Sequence, residues 1–148
     1  SPLLLLLYEE TFLLSTIAGE CQIFLDRIRS DAESNNLVYR GALNSILYVW
    51  YEHEPTEVNA WVNKTINDDQ SAIYIFMNFV GKTTKIGGNK SNSYTRYEFG
   101  YERLTKYIEK DLIVQRAKEI LPKLDSSEIN IEGELREFAM ITLETILK

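Results

Sequence analysis

The sequence has few of the residues that support covalent or metal chemistry. Its 148 residues include one cysteine, Cys21, and one histidine, His53. A single thiol excludes an internal disulfide and is consistent with a reducing compartment, so a cytoplasmic location is predicted. Metal sites need several converging nitrogen or sulfur ligands, and two such residues do not supply them. We therefore expect no metal and no cofactor in this segment.

Glycine and proline are also scarce, with 7 and 3 residues, whereas 45% of the chain is hydrophobic. This balance excludes collagen-like, low-complexity and disordered classes, and it is typical of a globular domain. At this length, residues 1–148 are expected to form a single helical domain whose core needs no disulfide or metal. The formal net charge of -6 opposes nonspecific attraction to phosphate backbones and anionic lipid, which favours a protein or small-molecule partner.

Long apolar runs are missing as well. The leucine run at residues 3–7 is interrupted by Glu9 and Glu10, far short of the ~20 apolar residues that span a bilayer. No membrane span is predicted. Because the chain opens at Ser1 without a methionine, we expect a fragment of a larger protein. An exposed leucine run would favour self-association or contact with the rest of the parent chain.

Hydrophobic residues recur at three- and four-residue intervals along most of the chain, which predicts amphipathic helices. The apolar stripes of these predicted helices lie at residues 14–28, 38–51, 58–66, 72–80, 104–121 and 135–146. Pro55 is expected to begin the third helix, Asp68 or Asp69 to cap the fourth, and Ser126 or Ser127 to cap the last.

Residues 81–93 break this pattern with three glycines and several Asn, Ser and Thr residues, which predicts a long exposed loop. The aromatic residues that follow give residues 94–101 some β character, but no second strand of comparable strength is evident, so a sheet is not expected. The predicted fold class is all-α: a compact domain of about six or seven helices with one long Gly/Ser/Asn-rich loop.

The segment Gly81-Lys82-Thr83-Thr84 is similar to the end of a phosphate-binding P-loop. Such a loop needs a glycine five residues before Gly81 and a strand ahead of it, because backbone N–H groups must wrap the phosphate. Phe76 occupies that position, inside a predicted apolar helix. Nucleotide binding is therefore not predicted here.

No other group of residues indicates catalysis. Cys21 lies on an apolar stripe, where a thiol is inert and structural. His53 is expected at a solvated corner between helices. The adjacent acids Asp68 and Asp69 precede an apolar run, which favours helix capping over cation binding. The chain is predicted not to be an enzyme.

A local cluster of basic and aromatic residues stands out in this acidic chain. Between residues 81 and 97 there are four cations and no acid. Cations beside exposed aromatic rings hold phosphates and stack on bases in many single-strand binders. The alternative is that the lysines solubilise a loop while the aromatic rings pack on the core. The candidate contact residues are Lys82, Lys85, Lys90, Tyr94, Arg96 and Tyr97.

A second line of inference comes from the spacing of residues between Trp61 and Leu121. The residues concerned are Trp61, Asp68, Asp69, Phe79, Val80, Tyr97, Glu98, Phe99, Leu104, Tyr107, Ile108 and Arg116. This pattern resembles the helical region downstream of the ATPase core in KAP-type P-loop NTPases, which are large bacterial proteins. The resemblance implies an accessory helical region and transfers no functional residue, since the ATPase residues of such proteins lie upstream.

Two functions follow as hypotheses. The first is a non-catalytic accessory or regulatory domain of a larger bacterial P-loop NTPase, acting through protein docking, oligomerisation or target sensing. The alternative is a nucleic-acid-binding module that uses the basic, aromatic-flanked region 81–101. A stand-alone enzyme that uses carboxylates ranks below both, because no pair of acids has a defining context.

Overall fold

The computed structural model describes residues 9–10, 42–86 and 93–148, without the side chains of residues 42, 85, 86 and 93. The chain divides into two compact units, Ser1–Lys64 and Thr65–Lys148, and each is described by itself. The predicted first helix at residues 14–28, the leucine run and Cys21 lie outside the described residues.

The first unit contains helix α1, Ala42–His53, and most of helix α2, Pro55–Thr65. Pro55 occupies the first position of α2, where its fixed φ suits the helix and its missing N–H is not needed. The indole rings of Trp50 and Trp61 lie 5.9 Å apart. The predicted second and third helices are confirmed over these residues. The side chains buried here are Leu43, Ile46, Leu47, Val49, Trp50, Val58 and Val62.

The second unit contains four helices packed around an apolar core. They are α3, Asp69–Met77; α4, Tyr101–Leu104; α5, Lys110–Asp125; and α6, Gly133–Ile146. The fully buried side chains include Ile73, Phe76, Leu104, Ile113, Ile120 and Leu143. Helix α6 packs against both α3 and α5. Spacing of apolar residues located α3 and α6, because burial of one face is what stabilises a helix in a globular protein. The single helix predicted at residues 104–121 is instead two helices, α4 and α5, separated by residues 105–109.

The start of α3 confirms the predicted cap. The Asp68 carboxylate accepts hydrogen bonds from the backbone N–H and the hydroxyl of Ser71, at 3.0 and 2.8 Å. These bonds favour the ionised carboxylate, and the backbone bond is the main reason that the pKa of Asp68 is lowered from its ordinary value. Asp68 therefore satisfies a backbone donor that the first turn of α3 would otherwise leave without a partner.

Several predicted helix boundaries were wrong. Helix α3 ends at Met77 rather than Val80, and α5 continues through Pro122 to Asp125. Ser126 and Ser127 end α5 instead of starting α6: Ser127 adopts a φ of 63°, the left-handed conformation that commonly follows a helix. Spacing alone missed this because a serine is suited to either end of a helix.

The expectation that no sheet would form was also wrong, although the predicted mainly helical character is confirmed. Strands β1, Val80–Ile86, and β2, Ser93–Phe99, pair antiparallel as a hairpin. Part of the predicted loop is therefore strand; residues 87–92 lie outside the described residues, so the loop there stays a prediction. A two-stranded hairpin is marginal alone and needs packing against helices, which local sequence does not reveal.

Within the described residues, six helices and this two-stranded sheet make the fold mainly α-helical. No helix in that part of the chain is both long enough and apolar enough to cross a membrane.

Replacing Asp68 with alanine should lower the free energy of unfolding by about 1 kcal/mol, the usual cost of losing a helix N-cap. The matched variant Asp68→Asn should unfold close to the parent, since asparagine caps as well as aspartate. Urea unfolding followed by circular dichroism measures both. Equal losses in the two variants would contradict a capping role for the Asp68 side chain.

Candidate functional site

The hairpin is anchored to the helices of the second unit at its base. The buried Phe99 ring lies 6.3 Å from the Phe76 ring and 4.9 Å from the Tyr101 ring, with the rings steeply inclined in both pairs. Such edge-on contacts stabilise beyond the area they bury. The N–H of Gly100 donates to the carbonyl of Phe79 at 2.8 Å. A side chain at Gly100 would bring its Cβ within 3.2 Å of that same oxygen, so glycine fits this close approach.

A further aromatic contact supports one face of the hairpin. The ring of Tyr97 lies 6.4 Å from that of Phe138 on α6. Tyr97 is directly opposite Lys82 in the strand register. Directly opposite residues of an antiparallel pair share a face, so Lys82 lies on the same face as Tyr97. At Phe99 and Tyr97, this face of the hairpin therefore contacts helices α3 and α6.

The outer part of the hairpin, defined here as residues 82–84 and 94–96, is exposed to solvent on both faces. Arg96 lies opposite Thr83. Tyr94 is two residues from Arg96 and so shares its face, and 55% of the Tyr94 surface is exposed. The hairpin is thus a ribbon fixed at its base and exposed to solvent at residues 82–84 and 94–96.

The structure does not place the six predicted contact residues on one surface. Tyr94 and Arg96 lie together on one exposed face, whereas Lys82 is exposed on the other face and Tyr97 packs against Phe138. The half-buried Tyr97 ring thus contacts a helix, whereas Tyr94 is exposed to solvent. The structure describes only the backbone of Lys85, which pairs with Tyr94. Lys90 lies outside the described residues.

One acid adjoins this basic region. The Arg96 guanidinium Nε lies 3.1 Å from the Glu98 carboxylate, and both side chains are more than half exposed. Ion pairs of this kind contribute only about 0 to 1 kcal/mol in water. Arg96 is therefore held weakly and remains available to another anion.

The segment Gly81-Lys82-Thr83-Thr84 lies within β1 and pairs with β2 throughout. A phosphate-binding loop instead curls its backbone so that successive N–H groups converge on an anion. This extended backbone has the wrong shape for that task. The structural context thus agrees with the inference drawn from Phe76.

A second group of charged residues, which sequence reasoning did not identify as a cluster, surrounds the buried Arg116 beside the start of α3. This Arg116 charge cluster consists of Asp69, Arg116, Glu119 and Lys123, and its members other than Arg116 are partly or well exposed. Arg116 is only 8% exposed and donates to Asp69 Oδ1 at 2.5 Å, to Glu119 Oε2 at 2.6 Å and to the carbonyl of Ile66 at 2.8 Å. Lys123 donates to the other Asp69 oxygen at 3.0 Å.

Electrostatics within the Arg116 charge cluster favour the ionised form of each member. The hydrogen bond from Arg116 is the main reason that the pKa of Asp69 is lowered, and burial opposes it. Burial alone would lower the pKa of Arg116, but hydrogen bonds to Asp69 and Glu119 raise it overall. The bond to Asp69 likewise raises the pKa of Lys123. Two acids and two bases therefore balance, which gives the cluster a structural role in joining residues 66–69 to α5.

A sequence signal for this cluster did exist. Arg116 lies on the same face of α5 as Ile113, Ala117, Ile120 and Leu124, all of which are buried. A charged residue on a buried stripe requires partners, because an unpaired buried charge is strongly destabilising. Which acids would supply them is decided only by tertiary structure.

Of the remaining polar candidates, Cys21 lies outside the described residues and His53 lies within them. His53 ends α1, and its Nε2 lies 3.9 Å from a Glu9 oxygen, so the side chain is less solvated than expected. Across residues 9–10, 42–86 and 93–148, no group of three or more His, Cys, Asp or Glu side chains is placed to hold a metal ion.

Comparison of the chain with protein-family models, curated proteins and solved structures gives no match.

Replacing Asp69 with asparagine should lower the free energy of unfolding by about 2 kcal/mol at neutral pH, since Arg116 loses a charged partner. The pKa of Asp69 is lower in the folded state, so its stabilisation is present above the unfolded pKa of about 4 and is lost as pH falls through the folded value. The gap between parent and variant should therefore shrink in acid.

Urea unfolding at neutral and acidic pH measures this gap. Asp125→Asn is the control, because it removes an exposed carboxylate near the end of α5 and should change stability by less than about 0.5 kcal/mol. A gap between parent and Asp69→Asn that stays constant across pH would show that the Asp69 charge contributes nothing.

Proposed function

We propose that the chain is a non-catalytic accessory domain of a larger cytoplasmic bacterial P-loop NTPase and that it acts by binding a partner. Its helices serve as the scaffold, and the hairpin serves as the contact element. In this proposal nucleotide hydrolysis belongs to a separate core, while this domain docks, oligomerises or senses a target.

The observation that carries the binding role is the construction of the hairpin. Its base is held by the Phe99 ring contacts and by the Gly100 hydrogen bond, whereas its outer part is exposed on both faces. An isolated hairpin is marginally stable, so an exposed ribbon of this kind depends on its anchored base. Exposed segments presented by a rigid scaffold are common contact elements in proteins.

Charge distribution supports the same role. Residues 82–96 carry four cations and no acid, so a chain with a net charge of -6 has a net charge of -10 outside this segment. Separation of charge of this kind steers association and orients a partner. The hairpin is therefore the region to which an anionic partner would be drawn.

The P-loop NTPase context is supported by the residues that carry the resemblance. Phe79, Phe99 and Leu104 are buried, and Asp69 is bonded to Arg116. The resemblance therefore lies in the residues that build the scaffold, which suits an accessory domain. The alternative, nucleic-acid binding, is favoured by a different observation: the exposed Tyr94 ring beside Arg96.

We expect the chain neither to bind nor to hydrolyse ATP, because the Gly81-Lys82-Thr83-Thr84 segment is a paired strand and holds no phosphate loop. Titration calorimetry with magnesium ATP and a phosphate-release assay measure this. The gene that encodes the chain should also specify a complete P-loop ahead of this region. ATP hydrolysis by the purified chain, or a parent gene without a P-loop, would overturn the proposal.

A further inference from the structure

We infer that the outer part of the hairpin binds single-stranded nucleic acid, with Lys82 and Arg96 contacting phosphates and the Tyr94 ring stacking on a base. This inference rests on the proposed binding function and specifies the partner of the same surface. It follows from three features: an exposed aromatic ring, cations on both faces of the ribbon, and a net negative charge in the rest of the chain.

The first feature is the Tyr94 ring. It is one of two large apolar side chains that are exposed in the described part of the chain, and it lies on the same face as Arg96, about 7 Å along the strand. The other hairpin tyrosine, Tyr97, is occupied by its contact with Phe138. A base can therefore stack on Tyr94 while the adjacent guanidinium contacts the neighbouring phosphate, which is how many single-strand binders combine the two groups.

The second feature is the placement of the cations. Lys82 is exposed on one face of the ribbon and Arg96 on the other, so a flexible strand that wraps the ribbon meets a positive charge on each side. Binding of phosphates to these groups releases condensed counterions, which drives association and makes it salt-dependent. The charge of -10 outside residues 82–96 repels the rest of a polyanion and confines contact to the hairpin.

A single strand fits this surface better than a duplex or an acidic protein does. Bases in a duplex are already stacked on one another, so the Tyr94 ring could not reach a base face without unstacking one. An acidic protein would satisfy Lys82 and Arg96 but would leave the exposed ring unused. Only a strand with accessible bases uses both the cations and the ring.

Glu98 provides a further consequence of this geometry. Its carboxylate pairs with Arg96 at 3.1 Å and so competes with a phosphate for the same guanidinium. Because the pair is well exposed, a phosphate can displace Glu98 at little cost. Removal of the Glu98 charge should then strengthen binding, which a purely structural role for Arg96 does not predict.

The experiment measures the binding of fluorescent oligothymidylate to the chain by anisotropy over a series of salt concentrations. Lys82→Gln and Arg96→Gln should each weaken binding and make the slope of log affinity against log salt shallower by about 0.7. Tyr94→Ala should weaken binding about fivefold or more without changing the slope. Glu98→Gln should tighten binding and make the slope steeper.

Lys118→Gln is the matched control, because Lys118 is an exposed cation on α5 and its replacement changes the net charge equally. It should bind like the parent. Salt-independent binding, no binding, or equal effects of the control and the hairpin variants would overturn the inference. A further pair of results would also overturn the inference: polyglutamate displaces the oligonucleotide completely, and Tyr94→Ala binds the oligonucleotide as tightly as the parent does. The partner would then be an acidic protein.

Failure of this inference is distinguishable from failure of the proposed function. A chain that binds no oligonucleotide but neither binds nor hydrolyses ATP contradicts only the choice of partner. A chain that binds oligothymidylate as described and also hydrolyses ATP contradicts the non-catalytic accessory role and leaves the hairpin contact intact.

Discussion

The second unit depends on one buried cation. Arg116 enters an otherwise apolar face of α5, where a guanidinium without partners would be strongly destabilising. Its partners are Asp69, Glu119 and the carbonyl of Ile66, and Lys123 completes the neutral set. Two of these partners, Ile66 and Asp69, lie about 50 residues before Arg116 in the sequence. Arg116 can therefore bond to them only when the start of α3 lies against α5. The bonds of Arg116 to Ile66 and Asp69 therefore fix the position of the first turn of α3 against α5.

That constraint extends to the hairpin. Helix α3 carries Phe76 near its far end, and the chain turns directly from there into β1. The contact of Phe76 with Phe99 and the bond between Gly100 and Phe79 then close the base of the hairpin. Charged contacts at one end of α3 and aromatic contacts at the other thus stabilise the helices that support the exposed outer part of the hairpin.

The two charged regions of this unit illustrate opposite uses of the same residue types. In the Arg116 charge cluster, Arg116 and Lys123 pair with Asp69 and Glu119, and these pairs join the start of α3 to α5. In the hairpin, Lys82 and Arg96 are exposed, and the single acid beside them, Glu98, is held only through a solvated pair. Charges that remain available to solvent are the ones that can recognise another molecule.

The sequence by itself determined most helices of the described residues and narrowed the cap of α3 to Asp68 or Asp69, because helical spacing and capping are local properties that a few neighbouring residues specify. It also located the basic and aromatic residues of the hairpin. Tertiary structure alone decided that β1 pairs with β2, that Tyr97 packs on Phe138 while Tyr94 faces solvent, and that Asp69 meets Arg116. Each of these depends on contacts between residues distant in sequence, and a strand as polar as β1 acquires its structure from a partner rather than from its own residues.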